Sequence, residues 1–282
     1  MSCSKEELAK LKETARRLRL TMIDVMAWSG GAHIGGSLSI AELLTILYFK
    51  YLHIRPEEPD WPGRDRFILS KGHAAAGYIP CLALRGFFPM DALKSFNHFG
   101  SPFAMHPDSN KIAGCDASAG SLGHGLSMAV GMGLGARCQK QPWKTVCLLG
   151  DGECCEGSVW EAAMALAHFK LGNVITIVDR NRLMIDGFTK DVMNNEPFAD
   201  KWRAFGLDVF EVDGHDFEAL SGALDAAWAA GGESGVGKPA LILANTVKGK
   251  GVDFMENNVV WHYGSGDSDL CEKAKASIGS GE

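Results

Sequence analysis

The sequence lacks any long uninterrupted run of apolar residues. No segment approaches the roughly 18 consecutive apolar residues that identify a membrane-spanning helix. The first residues, MSCSKEELAKLKETARRLRL, contain no hydrophobic segment of the kind found in signal peptides, and their acidic side chains are not typical of a transit peptide. We therefore expect a cytoplasmic protein that does not associate with a membrane.

A strong excess of either charge is also missing. The net charge is −6, from 28 Lys and Arg against 34 Asp and Glu spread along the chain. Nucleic-acid surfaces neutralise many phosphates with clustered cations, so no nucleic-acid partner is expected. An anionic ligand must instead be met locally, by a metal ion, a helix end or a few cations. The eight cysteines form no CxxC pair, which favours reduced cytosolic thiols.

The second half of the chain alternates short β-branched apolar runs with helical patterns. The runs cover residues 145–151, 173–181, 207–216 and 239–251. Alternation of this kind predicts an α/β fold, a mainly parallel sheet with helices on both faces. In the first half, helices are predicted at 5–28, 40–52, 73–85 and 124–138, and a short strand at 66–70. We predict one domain over residues 1–264, followed by a polar C-terminal tail over residues 265–282.

Polar residues follow the predicted strands at their carboxyl ends, where ligands bind in sheets of this type. Asp151, Asn181, His215 and Lys248 are placed in this way. The glycines on either side of Asp151 leave room for a large anion. One carboxylate and one amide oxygen from neighbouring strands suit Mg²⁺ or Ca²⁺ when phosphate oxygens complete the coordination shell. A GDG tripeptide alone is more often an ordinary turn.

The distance from GDG (150–152) to Asn181 resembles the thiamine diphosphate signature. Further motifs occur in the order found in the N-terminal segment of transketolases: SGGAHIGGSLS (29–39), RDRFILSKGHAAAGY (64–78), MHPD (105–108), GSLGHGLSMAVG (120–131) and WHYG (261–264). Over roughly residues 8–264 the sequence is similar to the thiamine diphosphate-binding fold, or PP domain, of a transketolase. The resemblance implies a cofactor, thiamine diphosphate, and a metal ion, Mg²⁺, for which Ca²⁺ can substitute.

Site residues follow from the same resemblance. The metal ligands are the side chains of Asp151 and Asn181 and the backbone carbonyl of Leu183. The remaining cofactor contacts are Gly120, Leu122, Gly123, Gly150, Gly152, Lys248 and His262. Here Ser121 stands where the family's PLG turn has proline.

Four histidines lie in glycine- or proline-bearing loops and match family motifs. By resemblance, His73 and His106 face the transferred fragment, His33 faces the acceptor sugar, and His262 faces the diphosphate and the reacting oxygen. Imidazole exchanges protons near neutral pH, which suits the transfer of a ketol unit between polyols. The family's SGHPG has isoleucine in place of proline here. The other histidines we expect to lack a catalytic role are His53, His98, His124 and His168.

In transketolases, the glutamate that activates the cofactor comes from a second, pyrimidine-binding domain, which this sequence does not contain. The resemblance therefore implies the N-terminal subunit of a split transketolase. A separate subunit would supply the pyrimidine-binding and C-terminal domains, in an α₂β₂ heterotetramer. The glycine-rich helix at 120–138 and Glu156 are candidate interface elements. The expected reaction moves a two-carbon ketol (glycolaldehyde) unit from a ketose phosphate to an aldose.

Other classes remain open on the sequence alone. A 2-oxo acid dehydrogenase alpha subunit shares the GDG and asparagine elements but is not expected to carry the SKGH, MHPD and WHYG histidines. A 1-deoxyxylulose-5-phosphate synthase-like enzyme has a closer histidine set, and activity with pyruvate would identify it. A non-catalytic scaffolding relative would retain only the fold. A nucleotide-binding dehydrogenase is disfavoured because no GxGxxG follows a predicted strand.

Overall fold

A parallel β-sheet organises the protein. The computed structural model describes residues 3–232 and 234–280. In this part of the chain the strands are β1 Arg66–Leu69, β2 Thr145–Gly150, β3 Val174–Arg180, β4 Asp208–Asp213 and β5 Ala240–Asn245. They form one five-stranded sheet in the order β1-β2-β3-β5-β4, and every neighbouring pair is parallel. The predicted parallel sheet is confirmed.

Helices cover both faces of the sheet. They are α1 Lys5–Ser29, α2 Ile34–Leu38, α3 Ala41–Ile46, α4 Ala75–Arg85, α5 Gly125–Cys138, α6 Gly157–His168, α7 Thr189–Val192, α8 Phe198–Ala204, α9 Phe217–Ala229 and α10 Ser268–Ser280. Successive strand side chains point to opposite faces, so Leu148 packs into the core with α1, α3, α4 and α9. Leu149 packs into the second core with α5, α6 and α8. Among the helices of the described ranges, none has the length and apolar character needed to cross a bilayer.

Helix boundaries agree with the sequence where capping signals are strong. The helix predicted at 5–28 runs from Lys5 to Ser29, where Ser4 and Glu7 form a capping box at the start and Gly30 adopts a left-handed conformation at the end. The helix predicted at 40–52 is formed by α3, which ends at Ile46, and by a π-helical turn that continues it from Leu47 to Tyr51.

The predicted polar tail contains a helix. Helix α10 packs on α1 and buries Cys271, Ala274 and Ile278. Lys275 also pairs with Asp24 of α1 at 2.7 Å. The last two residues of the predicted tail and the first two of the predicted domain lie outside the described residues. Within 268–280 the segment is therefore docked against the domain by an apolar stripe.

The glycines of α5 have two different surroundings. A side chain at Gly125 would clash with the Ser70 hydroxyl, and one at Gly133 would clash with Val174. These two glycines let the helix approach its own sheet closely. A side chain added at Gly131 or Gly135 would meet no atom from outside this helix within 4 Å among the described residues. The sequence alone does not show what packs against this helix. For Gly125 and Gly133, two of its four glycines, the structure shows that the neighbour is the protein's own sheet or the residue that follows β1.

Candidate active site

A cleft of about 300 Å³ opens beyond the carboxyl ends of β1, β2, β3 and β5. One polar residue of the cleft follows the end of each of these strands. In the order β1, β2, β3 and β5 these residues are Lys71, Asp151, Asn181 and Lys248. The predicted site residues that line the cleft are His33, His73, His106, Gly120, Leu122, Gly150, Asp151, Gly152, Asn181, Leu183, Lys248 and His262. The fold thus gathers residues from segments that are far apart in the sequence.

Four histidine rings form a cluster in this cleft. The ring centroid of His33 lies 5.4 Å from that of His73, 6.1 Å from His106 and 5.5 Å from His262. His73 and His262 stack at 5.4 Å. The buried Nδ1 of His33 has no hydrogen-bond partner among the described residues. Buried polar atoms are normally satisfied, so this nitrogen marks a place for a polar ligand.

The four imidazoles are held neutral. Burial, followed by the nearby charge of Lys248, lowers the pKa of His262 to about 3. Burial and the charge of Lys71 lower the pKa of His73 well below its usual range. Burial also lowers the pKa of His33 and His106. Near pH 7 each ring can therefore accept one hydrogen bond and donate another, which suits contact with hydroxyl groups.

The predicted metal donors lie at the ends of β2 and β3. Asp151 is buried and accepts hydrogen bonds from the backbone nitrogens of Arg182 at 2.6 Å and Gly152 at 2.9 Å. Burial and then the negative charge of Asp179 raise the pKa of Asp151 to about 6. A bound metal ion would offset both effects, because a cation beside a buried carboxylate favours its ionised form.

The other two predicted metal ligands, Asn181 and Leu183, lie in the loop after β3. The side-chain oxygen of Asn181 accepts a hydrogen bond from the backbone nitrogen of Leu183 at 3.1 Å. The Leu183 carbonyl accepts a hydrogen bond from Lys248 Nζ at 3.0 Å, and that ammonium also lies 2.8 Å from His262 Nδ1. Within residues 3–232 and 234–280 no group of three or more His, Cys, Asp or Glu side chains is placed to hold a metal ion. The predicted ligand set is not a group of that kind, since it combines one carboxylate with an amide oxygen and a backbone carbonyl oxygen.

A buried ion pair that sequence analysis missed lies beneath the cleft. Lys71 Nζ is 2.6 Å from Asp179 Oδ2 and both side chains are almost fully buried. Ser39 and Asn181 also donate to Asp179, each at 2.8 Å. Burial raises the pKa of Asp179, but the charge and hydrogen bond of Lys71 outweigh burial and hold it below its usual range. The available signal was an acid within an apolar parallel strand, because a charge buried there needs a partner.

Replacing Asp179 with asparagine is expected to lower the free energy of unfolding by about 3–5 kcal/mol, since the Lys71 ammonium would remain buried without its carboxylate. Urea unfolding at pH 7 measures the change. The matched control is Asp208→Asn, because Asp208 pairs with Lys238 at the surface and surface pairs contribute at most about 1 kcal/mol. Equal losses in the two variants would contradict a structural function for the buried pair.

Glu153 is a second buried acid that the sequence did not single out. It accepts hydrogen bonds from the backbone nitrogens of Gly123 at 2.8 Å and Gly150 at 3.0 Å, and from the Ser70 hydroxyl. This carboxylate therefore ties the turn at 120–123 to the GDG turn. Gly123 itself does not line the cleft, because its N–H is directed to Glu153 and its carbonyl accepts from Ser158.

The remaining histidines lie outside the cleft. His124 is exposed and its Nδ1 lies 3.1 Å from the Leu122 carbonyl. His98 lies 2.9 Å from the Trp28 carbonyl, and the ring of His53 packs on Trp61. His168 contacts the ring of Phe169. Glu156 is exposed beside the turn at Gly123.

Comparison with known families decides among the thiamine enzymes. The sequence profile described as "Transketolase, thiamine diphosphate binding domain" matches residues 10–281. The chain belongs to the transketolase family. The predicted family and its thiamine diphosphate-binding domain are thereby confirmed, and the two other thiamine enzymes considered from the sequence are set aside.

Relatives within the transketolase family include proteins of similar length. The chain is 40% identical over 273 residues to the 6-deoxy-6-sulfo-D-fructose transketolase subunit SqwG of Clostridium sp. (strain MSTE9), covering 97% of this chain and 98% of that protein. It is also 40% identical over 271 residues to a subunit of the apulose-4-phosphate transketolase of Actinobacillus succinogenes, covering 96% of this chain and 95% of that protein.

A solved structure confirms the fold. The transketolase from Leishmania mexicana matches with a TM-score of 0.89 and 27% identity, covering 99% of this chain but 42% of that chain. The present chain therefore corresponds to less than half of that transketolase and to nearly the whole of the two bacterial transketolase subunits.

Proposed function

We propose that the chain is the diphosphate- and metal-binding N-terminal subunit of a split transketolase. Together with a separate subunit it transfers a two-carbon ketol unit from a ketose to an aldose. The observation that carries this proposal is the cluster of four neutral histidines in the same cleft as Asp151, Asn181 and the Leu183 carbonyl. A non-catalytic scaffold would have no need of this arrangement.

The donor set fits Mg²⁺, and Ca²⁺ as a substitute. All three donors are oxygens, which both ions prefer, and Mg²⁺ commonly takes few protein ligands when phosphate oxygens complete its shell. Asp151 supplies the negative charge, while Asn181 and the Leu183 carbonyl supply neutral oxygens. The raised pKa of Asp151 supports this assignment, since a bound cation would stabilise its ionised form.

Thiamine diphosphate fits the same cleft. Its diphosphate would lie against Lys248 and His262 and the glycine-lined turns at 120 and 150–152. A side chain at Gly120 would meet no other described residue within 4 Å. When bound, the cofactor supplies the carbon that takes up the ketol unit. Lys248 gives the cleft a buried ammonium group for the diphosphate, whereas the Lys71 ammonium is already paired with Asp179.

The histidines would act on the sugar hydroxyls. His73 and His106 would face the transferred fragment, His33 the acceptor, and His262 the reacting oxygen. Because the rings are neutral, each can take a hydroxyl proton at one nitrogen or donate a hydrogen bond from the other. The Nδ1 of His33, which has no hydrogen-bond partner in the part of the chain that the structure describes, is available for such a contact.

An exposed apolar surface beside the cleft would receive the partner subunit. It consists of Leu122, Ile185, Phe188, Val192 and Met193, which are between 36% and 62% exposed. Leu122 and Ile185 also line the cleft, so a second protein covering this surface would close the site. Apolar patches of this kind commonly mark interfaces. The partner would carry the pyrimidine-binding and C-terminal domains in a cytoplasmic α₂β₂ assembly, with α5 and Glu156 as further interface elements.

Replacing Met193 with aspartate is expected to weaken the binding of the partner subunit by at least about tenfold, since a charge would be buried in an apolar contact. Met193 does not line the cleft, so cofactor contacts stay intact. Val236→Asp is the matched control, because Val236 is similarly exposed but lies near the opposite end of the sheet. There its backbone forms an isolated β-bridge with Leu171, which precedes β3. Calorimetric titration of one subunit into the other measures both. Equal affinities of the two variants for the partner subunit would contradict the assignment of this surface as the interface.

The function is tested by two-carbon transfer from xylulose 5-phosphate to ribose 5-phosphate with Mg²⁺ and thiamine diphosphate. The relatives' names add two further donors, 6-deoxy-6-sulfo-D-fructose and apulose 4-phosphate. We expect no turnover by this chain alone and turnover of at least one donor in the mixture with its partner subunit. Robust activity from this chain alone would contradict the split-enzyme proposal.

A further inference from the structure

A buried series of polar contacts supports the loop that carries Lys248. It begins at Arg19 of α1, whose guanidinium binds both carboxylate oxygens of Glu42, at 2.5 and 2.6 Å. Glu42 Oε2 lies 2.9 Å from His215 Nδ1. On the other side of the ring, His215 Nε2 accepts a hydrogen bond from the backbone nitrogen of Val247 at 2.9 Å. The imidazole therefore connects an ion pair in the helical layer to the residue before Lys248.

These contacts fix the tautomer of His215. The Val247 N–H can only donate, so Nε2 must be an unprotonated acceptor. Burial raises the pKa of Glu42, but the charge of Arg19 and the hydrogen bonds from His215 and Arg19 outweigh it and hold this pKa at about 2. Glu42 is therefore an ionised acceptor, and His215 Nδ1 carries the hydrogen directed at it.

Two further bonds hold the same loop on the C-terminal side of Lys248. Arg19 Nε donates to the Lys250 carbonyl at 3.0 Å. The Gly249 nitrogen donates to the Gly35 carbonyl at 3.0 Å. With the backbone fixed in this way, Lys248 is directed into the cleft, whereas His215 does not line it.

We propose that His215 is a positioning residue for diphosphate binding. By accepting the Val247 N–H it fixes the backbone from which Lys248 reaches the cleft, and Glu42 with Arg19 keeps the ring in the required tautomer. This inference rests on the proposed function, because it assumes that Lys248 meets the anionic cofactor. Outer contacts that orient a binding group commonly change affinity without touching the ligand.

Two substitutions distinguish the contact of His215 Nδ1 with Glu42 from the contact of Nε2 with Val247. His215→Asn retains an amide donor near Nδ1 for Glu42 but has no acceptor at the Nε2 position. His215→Gln can place its carbonyl oxygen near Val247. We expect the asparagine variant to lose about tenfold in affinity for magnesium thiamine diphosphate and to exchange the Val247 amide hydrogen faster. The glutamine variant should recover most of both losses. Equal affinities in the two variants, whether lowered or unchanged, would overturn the proposal.

A measurement on the unsubstituted protein removes any dependence on variant folding. Long-range ¹H–¹⁵N NMR should show His215 protonated at Nδ1 alone, with slow exchange of the Val247 amide. A ring protonated at Nε2 would refute the inference. These two observables need no cofactor, so they test whether His215 positions the Val247 backbone even if the protein binds no thiamine diphosphate. Absence of binding would refute the proposed function instead.

Discussion

Replacing Asp151 with alanine is expected to abolish magnesium-dependent binding of thiamine diphosphate, with a loss of at least about a hundredfold in affinity. The proposed ligand set has a single charged member, and the two neutral oxygens of Asn181 and Leu183 cannot balance a divalent cation. Calorimetric titration with thiamine diphosphate, in the presence of Mg²⁺ and then of EDTA, measures the metal-dependent part.

Loss of the fold is not expected to explain this result. Burial and the neighbouring Asp179 raise the pKa of Asp151, so its ionised form costs stability in the cofactor-free protein at pH values above its ordinary pKa. The alanine variant should therefore remain folded at pH 7, because relief of this cost offsets the hydrogen bonds lost from the Arg182 and Gly152 backbone nitrogens. Asp186→Ala is the matched control, since Asp186 is exposed in the loop after β3 that carries Asn181 and Leu183. Unchanged magnesium-dependent affinity in the Asp151 variant would refute the metal assignment.

Replacing His73 with alanine is expected to lower turnover of the assembled enzyme by about 10²–10⁴-fold, the usual contribution of a group that moves protons. Binding of magnesium thiamine diphosphate should be retained, because the predicted metal and diphosphate contacts remain. Burial and then the charge of Lys71 lower the pKa of His73 well below its usual range, so the ring is neutral at and above pH 7. The ratio of the two turnover rates should therefore be constant at and above pH 7.

Steady-state kinetics and calorimetry on the same preparation test both halves of this expectation. His98→Ala is the control, because its imidazole is exposed and hydrogen-bonds the Trp28 carbonyl. Unchanged turnover in the His73 variant, or a loss of cofactor binding as large as the loss of turnover, would contradict a function in proton transfer.

The sequence predicted the sheet and the cleft because both depend on local patterns. The apolar runs predicted at 145–151 and 173–181 are short and β-branched, and the structure confirms them as β2 Thr145–Gly150 and β3 Val174–Arg180. Since parallel strands end at one edge of the sheet, Asp151 and Asn181 were expected to meet there. Their proximity follows from the fold class alone.

The supporting polar contacts could not be predicted in the same way. Asp179 lies in a strand and its partner Lys71 follows a different strand. Glu42 lies in a helical segment whose sequence does not indicate a buried acid. The packing of α3 brings it into contact with Arg19 and His215. Such pairs depend on tertiary contacts between distant segments, and a local pattern carries no information about which buried charges meet. For His215 the sequence offers one signal, its position directly after a predicted strand.

Competition for the site tests the central claim most directly, namely that this chain holds the diphosphate and metal end of a shared cofactor site. The chain alone would be titrated with thiamine diphosphate and Mg²⁺, with either inorganic pyrophosphate or unphosphorylated thiamine as competitor. We predict weak magnesium-dependent binding that pyrophosphate displaces and thiamine does not. Displacement by thiamine but not by pyrophosphate, or binding that does not depend on Mg²⁺, would contradict the account.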